Sequence, residues 1–578
     1  MKHLFILLTI FSSTLAFSQN LSYRHYVENH LIVVSNRCVL PINGLDTLKI
    51  KFISDHQAKP FFQALNRYTL VKQNPKNYNY VIAAIFNYKT FRFDTISRPL
   101  IAVVFDTSVT QIEHLLDKAQ AVILAFGKDS LFQDYAVQML FGAIPCNSHL
   151  PKTIGFLPKG FGIHTPGGWR LKYTIPQEVG LDSAFIFSKV DSLANLGIKV
   201  HAYPGCQILA AVNGKVIFYK AFGYHTYDSI QPVKMTDLYD LASITKIAAT
   251  APCLMKLYDQ HKIRLNQTLG QLCSCVWFSN KSKIKLIDAL THQARLQPWI
   301  PFWKFTVDKN YNLKKRFYSR DSSAHFPYKV AQNIYADRKV KRLIFRKIRR
   351  SKLLPKKQYK YSDLSFYLYP RIISRLSKQK FPACLYKYFY HPLGAYRMVY
   401  NPYKYFPLNQ IIPTEYDSLF RKQQIHGTVH DEGAAMMGGI SGHAGLFATA
   451  NDLAKLMQMY MNYGVYANHR YISDTTLKKW TSYQFPQLGN RRGIVFDKPL
   501  LKHPERGTPS PLASPLSFGH RGFTGTFTWD DPKYKLLIVF LSNRVYPTRK
   551  NLNLIHYNIR TQIHDVFYKA ILKAQNKK

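Results

Sequence analysis

Residues 241–246 read L-A-S-I-T-K, and this stretch decides how the rest of the chain is interpreted. The apolar residues Ile247 and Leu254 follow at the spacing of one helix face. A serine in the first turn of such a helix has an outward-pointing backbone N–H, which can bind an oxyanion. Lys246 lies one turn after Ser243, so its amine can reach the serine hydroxyl and, if neutral, take its proton. The stretch therefore predicts a nucleophile with its activator.

The S-x-x-K spacing is not specific by itself, because it also occurs at Ser282–Lys285 and Ser377–Lys380. Only Ser243 is followed by two partner motifs, Tyr361-Ser362-Asp363 before an apolar helical run and His520-Arg521-Gly522 at a strand-like stretch. The order S-x-x-K, Y-x-N/D, H-x-G resembles the penicillin-recognising serine hydrolases, which include class C β-lactamases, DD-peptidases and related esterases.

This resemblance covers roughly residues 175–575. It also includes G-T-V-H-D-E at 427–432, G-G-I-S-G-H-A-G-L-F at 438–447 and G-H-R-G-F-T-G-T at 519–526. It implies an α/β and α+β chain, whose larger domain is β-lactamase- or penicillin-binding-protein-like, with an antiparallel sheet flanked by helices. It also implies a serine hydrolase that uses no metal and no organic cofactor.

The family resemblance implies a role for each motif residue. Ser243 would attack a carbonyl and form an acyl-enzyme, and Lys246 and Tyr361 would share the proton transfers, with either one as the base. The backbone N–H groups of Ser243 and Phe523 would form the oxyanion hole. His520 stands where many relatives have the lysine of K-T-G, and it could hydrogen-bond the substrate or the Tyr361 hydroxyl.

Three positions depart from the family pattern. Asp363 replaces the asparagine of Y-x-N, so a carboxylate that can pair with Lys246 takes the place of a donor for the substrate's acyl amide. This weakens the expectation of β-lactam hydrolysis more than that of ester or peptide cleavage. Arg521, beside Gly522 of the H-x-G motif, could reach a substrate carboxylate or point to solvent. Arg295 stands where relatives usually have a turn glycine, which makes the loop shape uncertain.

Two further sets of residues are of types that bind metal ions or form disulfides. His430, Asp431 and Glu432 are adjacent, but consecutive loop residues diverge in direction, so we interpret them as loop structure rather than metal ligands. Seven cysteines are scattered without any C-x-x-C pair, so they predict buried core residues and neither a zinc site nor a disulfide framework. Asn543 and Arg544, after the last strand-like run, are expected at the surface or the rim of the site.

The first eighteen residues have the pattern of a signal peptide. A basic start precedes the apolar run 4–15, and Ala16-Phe17-Ser18 offers small residues for cleavage. The apolar run is shorter than the about 20 residues needed to cross a bilayer. The sequence therefore predicts a soluble, exported protein of the periplasm or the extracellular space, without a transmembrane segment.

Residues 19–160 predict a small α/β domain. The apolar runs 80–86, 100–105 and 121–126 are typical of a buried, mostly parallel sheet, and 129–143 of an amphipathic helix. The same segment resembles the end of the C-terminal sandwich domain of family-3 glycoside hydrolases. No stretch long enough for their catalytic barrel precedes it, so we expect no glycosidase activity and interpret the domain as a docking or folding partner.

Glycine- and proline-rich residues 161–170 predict a linker, and 171–578 the hydrolase domain. Asn213-Gly214 predicts a tight hairpin between strands 207–212 and 215–220, which the family resemblance puts at the edge of the sheet. Strands at 523–529 and 535–541 would complete the same sheet.

The chain is strongly basic, with 79 Lys and Arg residues, 32 Asp and Glu residues and a net charge of +47. Residues 314–360 alone hold seventeen basic and two acidic residues. No nucleic-acid-binding module accompanies this charge. It predicts either attraction to anionic envelope polymers or lipid head groups, or a solvated helix surface without a partner.

Taken together, the motifs predict an exported hydrolase with an acyl-serine intermediate. Envelope peptides that end in D-alanine, including peptidoglycan fragments, fit the fold class, the export signal and the basic surface. Small esters or amides fit the same catalytic residues. The alternative of a different class is a non-catalytic, basic envelope-binding protein in which the hydrolase domain serves as a scaffold.

Overall fold

The computed structural model describes residues 21–71, 75–92, 96–106 and 108–576. The predicted signal peptide, residues 1–18, lies outside these residues. Across the described ranges, no helix is both long enough and apolar enough to cross a membrane.

The first part of the chain forms a five-stranded sheet in the order β1-β5-β4-β3-β2, in which β2 to β5 are parallel and β1 is antiparallel to β5. Its elements are β1 (Leu31–Asn36), β2 (Ile50–Ser54), β3 (Tyr80–Ile85), β4 (Leu100–Val104), β5 (Ala121–Ala125), α1 (21–29), α2 (Lys59–Tyr68), α3 (Glu113–Lys118) and α4 (Ser130–Leu140). Strands β4 and β5 are buried along their whole length, as expected of a parallel sheet covered on both faces. The predicted mostly parallel sheet is confirmed.

Helix α4 begins where the sequence predicts it, because Asp129 caps its first turn. The Asp129 carboxylate accepts hydrogen bonds from the backbone N–H groups of Leu131 and Phe132. The glycine-rich stretch 161–170 is irregular, as predicted, but it is not a free linker. The Ile163 N–H donates to Val33 of β1, so this stretch packs along the N-terminal sheet.

The second part of the chain forms a six-stranded sheet in the order β19-β20-β21-β7-β8-β6, antiparallel except for the pair β6 and β8. Strands β9 to β18 form smaller sheets outside the six-stranded one. All strands of this part of the chain are β6 (Lys172–Tyr173), β7 (Gly205–Val212), β8 (Lys215–Gly223), β9 (Tyr239–Asp240), β10 (Tyr318–Ser319), β11 (Tyr328–Ala331), β12 (Ile334–Ala336), β13 (Val399–Tyr400), β14 (Tyr416–Asp417), β15 (Gln423–Gln424), β16 (Leu446–Ala448), β17 (Val465–Tyr466), β18 (His469–Arg470), β19 (Phe518–Arg521), β20 (Phe527–Asp531) and β21 (Leu536–Ser542). The helices are α5 (Ser183–Lys199), α6 (Ala251–Asp259), α7 (Leu269–Leu272), α8 (Leu286–Leu290), α9 (Lys339–Arg350), α10 (Tyr369–Ser377), α11 (Phe381–Leu385), α12 (Glu432–Met436), α13 (Ala450–Met461), α14 (Asp474–Thr481), α15 (Asn553–His556) and α16 (Ile559–Gln575).

The hairpin of β7 and β8 turns at Asn213 and Gly214, whose φ angles of 52° and 75° suit the predicted type I′ turn. The predicted edge position is wrong for β7, which pairs with β21 as well as with β8. Strand β8 lies next to the two-residue edge strand β6, which pairs only with its first two residues, Lys215 and Val216. The prediction of a strand from Phe523 is also wrong at its start, because Phe523 lies in the turn between β19 and β20.

The six-stranded sheet has two buried faces, because side chains alternate along each strand. Ile208 and Ile538 belong to the core that also contains residues of α5 and α16. Leu209 and Leu537 belong to the opposite core, which contains residues of α6 and α13. The turn at residues 241–246 lies on this second face, next to β19.

The two sheets share one hydrophobic core rather than meeting at a polar interface. Residues from α2, α4, β6 and β7 all belong to the same buried cluster. The Tyr68 hydroxyl donates to the Leu171 carbonyl at 2.8 Å, and the Arg67 guanidinium lies 4.3 Å from the centre of the Tyr173 ring. The Tyr173 hydroxyl in turn donates to Asn451 of α13.

The prediction that the cysteines are buried core residues is confirmed in part. Cys146, Cys206, Cys253 and Cys384 are buried and free, whereas Cys38 is exposed. The remaining two, Cys273 and Cys275, form a disulfide across one intervening residue, which the sequence analysis did not predict.

Candidate active site

Ser243 lies in a short turn rather than in a regular helix. Residues 242–244 form a 3₁₀ turn, residues 246–250 a π-helical turn, and α6 follows. Wide turns of this kind are found in helices at functional sites. Below the turn, the Asp240 carboxylate accepts the Ala242 N–H at 2.8 Å and the His430 N–H at 2.7 Å. Asp240 therefore fixes the backbone just before Ser243.

Two predicted residues, Lys246 and Tyr361, meet at the Ser243 hydroxyl. Lys246 Nζ and Tyr361 Oη each lie 2.9 Å from Ser243 Oγ. Lys246 Nζ also lies 2.7 Å from Asp363 Oδ1 and donates to the His443 carbonyl at 3.3 Å. The S-x-x-K and Y-x-D motifs, more than a hundred residues apart, thus form one cluster of hydrogen bonds.

The charges in this cluster are set by burial and by Asp363. Burial by itself would lower the pKa of Lys246, but the adjacent Asp363 carboxylate outweighs it and raises the pKa above its ordinary value. Burial raises the pKa of Tyr361, and the Lys246 ammonium opposes this effect. Lys246 is therefore an ammonium and Tyr361 a neutral phenol at neutral pH.

His520 of β19 lies on the other side of Ser243 and is buried. Its Nδ1 is 2.8 Å from the Arg521 carbonyl, whereas its Nε2 has no hydrogen-bond partner among the described residues. Its ring centre lies 6.1 Å from that of Tyr361, and the structure gives no hydrogen bond between the two side chains. Burial, followed by the Arg492 charge, holds the pKa of His520 well below its usual range, so this imidazole is neutral.

Gly522 allows β19 to approach the serine turn. A Cβ at this position would lie 2.5 Å from the Leu241 carbonyl oxygen, two residues before Ser243. The next residue, Phe523, is half exposed, and its ring stacks on His430 at 5.7 Å. The Arg544 guanidinium lies 4.7 Å from the centre of the same ring. Arg544 is buried rather than at the surface.

Arg521 points away from the serine turn. Its side chain is exposed and donates to the Thr508 hydroxyl at 2.9 Å. Asn543 is also not at the surface, because it is buried and donates to the His225 and Pro413 carbonyls. Its expected position is therefore corrected.

Two residues beside Tyr361 were not predicted. The His292 ring centre lies 4.4 Å from that of Tyr361, and its Nδ1 accepts the Ser362 N–H at 3.2 Å. The buried Arg492 guanidinium lies 5.9 Å from the Tyr361 ring centre and pairs with Asp497 at 3.3 Å. These contacts are made between distant loops, so no local motif signals them.

Arg295, at the usual glycine position, keeps the turn despite its side chain. Its φ of 60° is in the left-handed region, and its Nε donates to the Leu354 carbonyl at 2.6 Å. The three adjacent residues His430, Asp431 and Glu432 diverge, as interpreted from the sequence. They contact different partners: Glu415 at 2.8 Å, His443 at 3.0 Å and Arg549 at 2.8 Å, respectively.

The comparisons with known proteins identify the family of this chain. Residues 190–560 match the model of the β-lactamase family. A protein of Escherichia coli O157:H7 described as "Putative D-alanyl-D-alanine carboxypeptidase" is 32% identical over 381 residues, which cover 61% of this chain and 82% of that protein. A protein of Salmonella paratyphi A with the same description is 31% identical over 394 residues, covering 64% and 85%.

The chain belongs to the β-lactamase family, and it is a serine hydrolase. The family and the enzyme class predicted from the sequence are thereby confirmed. Among solved structures, a penicillin-binding protein homologue from Caulobacter crescentus aligns with 67% of this chain and 97% of its own at 16% identity and a TM-score of 0.48. A class C β-lactamase aligns over the same shares at 16% identity and a TM-score of 0.47.

Proposed function

We propose that this hydrolase cleaves D-alanyl peptides of the cell envelope, or related amides and esters, through an acyl-enzyme on Ser243. The observation that carries the proposal is the pair of 2.9 Å contacts that Lys246 and Tyr361 make with the Ser243 hydroxyl. The description of the similar Escherichia coli and Salmonella proteins as D-alanyl-D-alanine carboxypeptidases supports this substrate class.

In the proposed reaction, Ser243 Oγ attacks the carbonyl carbon while its proton passes to Lys246 or Tyr361. The same proton then reaches the leaving amine or alcohol, and the acyl group stays on Ser243 as an ester. A water molecule attacks this ester, with its proton following the same route, and the acid is released. The backbone N–H groups of Ser243 and Phe523 would stabilise the oxyanion, and removal of one such donor typically costs about 2.7–4 kcal/mol.

Which residue acts as the base depends on whether a bound substrate weakens the ion pair between Lys246 and Asp363. In the free protein Asp363 keeps Lys246 charged, and Tyr361 holds its own proton. A bound substrate that weakens the Lys246–Asp363 pair would lower the pKa of Lys246 and allow it to act as the base. A substrate that leaves the pair intact would favour Tyr361, whose phenolate the ammonium stabilises.

Asp363 also bears on the choice of substrate. A carboxylate has only acceptors, so the carbonyl of a β-lactam's side-chain amide finds no hydrogen-bond donor at this position. Each unmatched buried polar contact costs about 1–3 kcal/mol. We therefore expect lower kcat/KM on a chromogenic cephalosporin than on a p-nitrophenyl ester or a D-Ala-D-Ala peptide. A cephalosporin that proved the best of the three substrates would contradict this reading of Asp363.

Covalent labelling tests the proposed nucleophile. The protein would be treated with a fluorophosphonate and, separately, with a fluorescent penicillin, and the adduct located by peptide mass spectrometry. We expect the adduct on the peptide that contains Ser243, and its loss in Ser243→Ala but not in Ser377→Ala, which removes another S-x-x-K serine. An adduct at Ser282 or Ser377 would overturn the assignment.

We further propose that residues 19–160 form an α/β domain that serves as a docking or folding partner, followed by the hydrolase domain, 171–578. Export through residues 1–18 would bring the protein to the periplasm or outside the cell, where its net charge of +47 would attract it to anionic surfaces. A mature N-terminus near residue 19, found by mass spectrometry of the extracellular or periplasmic fraction, would support export. An intact Met1 in the cytoplasmic fraction would contradict it.

A further inference from the structure

Helix α9 presents a row of cations to solvent. Five basic side chains of this helix are exposed. Successive members are three or four residues apart, except for the adjacent Arg349 and Arg350, so all five lie on one face of the helix. This face is called the basic stripe, and it consists of Lys339, Arg342, Arg346, Arg349 and Arg350. A helix of this length extends about 18 Å.

The basic stripe has no acidic partners. Within the described ranges, none of its five side chains forms an ion pair with a carboxylate. Some buried cations of the protein differ in this respect, since Lys246 pairs with Asp363 and Lys455 with Asp452. Unneutralised like charges at this spacing repel one another, and a bound polyanion would relieve that repulsion.

The opposite face of α9 is already used for packing. Val340, Leu343, Ile344 and Ile348 are buried in the protein. An interfacial membrane helix needs an apolar face of its own to enter the lipid, and α9 has none left. Attraction at the stripe is therefore electrostatic, and arginine guanidinium groups suit the paired oxygens of phosphate and carboxylate groups.

The stripe is also connected to the reaction centre. Residues 351–360 run from the end of α9 to Tyr361 and are held against the loop that carries His292. The Leu354 N–H donates to the Arg295 carbonyl and the Lys360 N–H to the His292 carbonyl, each at 2.7 Å. A ligand along α9 would thus lie beside the segment that leads to Tyr361.

We propose that the basic stripe binds a linear polyanion of repeating phosphate or carboxylate groups. Such a polymer matches a straight row of cations with about 5–6 Å between neighbouring positions. Binding would keep the hydrolase next to the polymer, and it does not depend on the chemistry at Ser243.

The test uses the whole protein and two charge-matched variants. The stripe variant is K339Q/R342Q/R346Q/R349Q, and the control variant K49Q/K118Q/K128Q/K159Q removes four exposed cations from the N-terminal part. The probes are labelled inorganic polyphosphate and polygalacturonate, titrated at several salt concentrations. The two polymers distinguish a phosphate from a carboxylate source.

We expect the stripe variant to bind at least one of the two polymers about tenfold or more weakly at low salt, with a slope of log affinity against log salt smaller by about 3. The control variant should stay within about twofold of the unmodified protein. The Ser243→Ala variant should bind like the unmodified protein, which separates this proposal from the proposed catalysis. Ester hydrolysis should be equal in the stripe and control variants.

Three results would overturn the proposal. Equal losses in the stripe and control variants would mean that only the total charge matters. Tighter, stripe-dependent binding to phosphatidylglycerol vesicles than to either polymer would assign the stripe to a membrane surface. Tighter binding to a single-stranded oligonucleotide than to polyphosphate of equal length would assign it to nucleic acid.

Discussion

The two sides of Ser243 differ in how their polar groups contact the serine hydroxyl. On the lysine side, Lys246 contacts Ser243 and Asp363, and Tyr361 contacts Ser243 as well. On the strand side, His520 Nε2 has no hydrogen-bond partner among the described residues, and the half-exposed Phe523 ring lies at the surface. Without a ligand, the proton-transfer groups of the lysine side already contact Ser243, whereas His520 Nε2 on the strand side is left without a partner among the described residues.

This difference suggests a division of labour between activation and recognition. Groups that must move a proton are held in place before the substrate arrives, which lowers the cost of reaching the transition state. Groups that recognise the substrate have to leave a donor or an acceptor free for it. On this view, changes on the lysine side should alter turnover most, and changes on the strand side should alter substrate preference.

The largest effect is expected on the lysine side. Lys246→Ala and Tyr361→Phe should each lower kcat/KM for a p-nitrophenyl ester by about 10²–10⁴-fold, because each removes a group that transfers the Ser243 proton. Since the two act as a unit, the double variant should be little worse than the poorer single variant. Lys404→Ala, a surface change, serves as the control. Fully additive losses would mean that one of the two residues acts outside the unit.

The second test concerns the charge of Lys246. Asp363 raises the pKa of Lys246, so Asp363→Asn should lower that pKa. If Lys246 is the base, its neutral fraction at a given pH increases, and the acidic limb of the kcat/KM profile moves to lower pH by the same amount. Since Asp363 also raises the pKa of Tyr361, a limb that stays in place would show that neither residue's titration controls the rate. Rates of ester hydrolysis from pH 5 to 10 give the profile.

The third test uses the buried histidines that flank Tyr361. The pKa values of His292 and His520 are held well below the usual range by burial, so both are neutral in the folded protein. Below about pH 6.5 the unfolded chain binds protons at these positions and the folded protein does not. Each histidine should therefore lower the free energy of unfolding by up to about 1.4 kcal/mol per pH unit as the pH falls.

Urea unfolding at pH 7.5, 6.5 and 5.5 measures this loss. His520→Gln should remove the contribution of one histidine to the pH dependence of the free energy of unfolding. His503→Gln, at an exposed position, should leave that pH dependence unchanged. The same pH dependence in His520→Gln and the unmodified protein would show that His520 is accessible to protons in the folded state.

The smallest effect is expected at Arg521. Because its side chain is exposed and bonded to Thr508, Arg521→Ala should raise KM for a D-Ala-D-Ala peptide by about threefold or less and leave kcat unchanged. A neutral ester, which has no carboxylate, should show no change. A loss of tenfold or more on the peptide alone would mean that Arg521 turns toward the substrate when it binds.

Much of the lysine side could be predicted from the sequence because its residues lie in short motifs. Ser243 and Lys246 are one turn apart, and Tyr361 and Asp363 belong to one tripeptide, so local spacing determines which side chains share a face. His292 and Arg492 reach Tyr361 from separate loops, and a sequence pattern carries no information about such packing. The π-helical turn was also missed, since one turn of apolar residues fits either helix type.

The sheet shows the same limit. Asn213-Gly214 predicts its hairpin because both residues tolerate positive φ. The position of that hairpin within the sheet depends on β6, whose two residues are too few to give a pattern. The resemblance of residues 19–160 to a glycoside hydrolase domain stays a prediction.

The shared core between the two sheets has a consequence for how the chain unfolds and how it can be divided. Tyr68 of α2 and Tyr173 of β6 are buried against each other, with ring centres 5.6 Å apart, although they come from the two different parts of the chain. A cut between the sheets would expose both rings and the apolar residues around them to water. We therefore expect the two halves to unfold as one cooperative unit, and either half alone would expose an apolar surface to water.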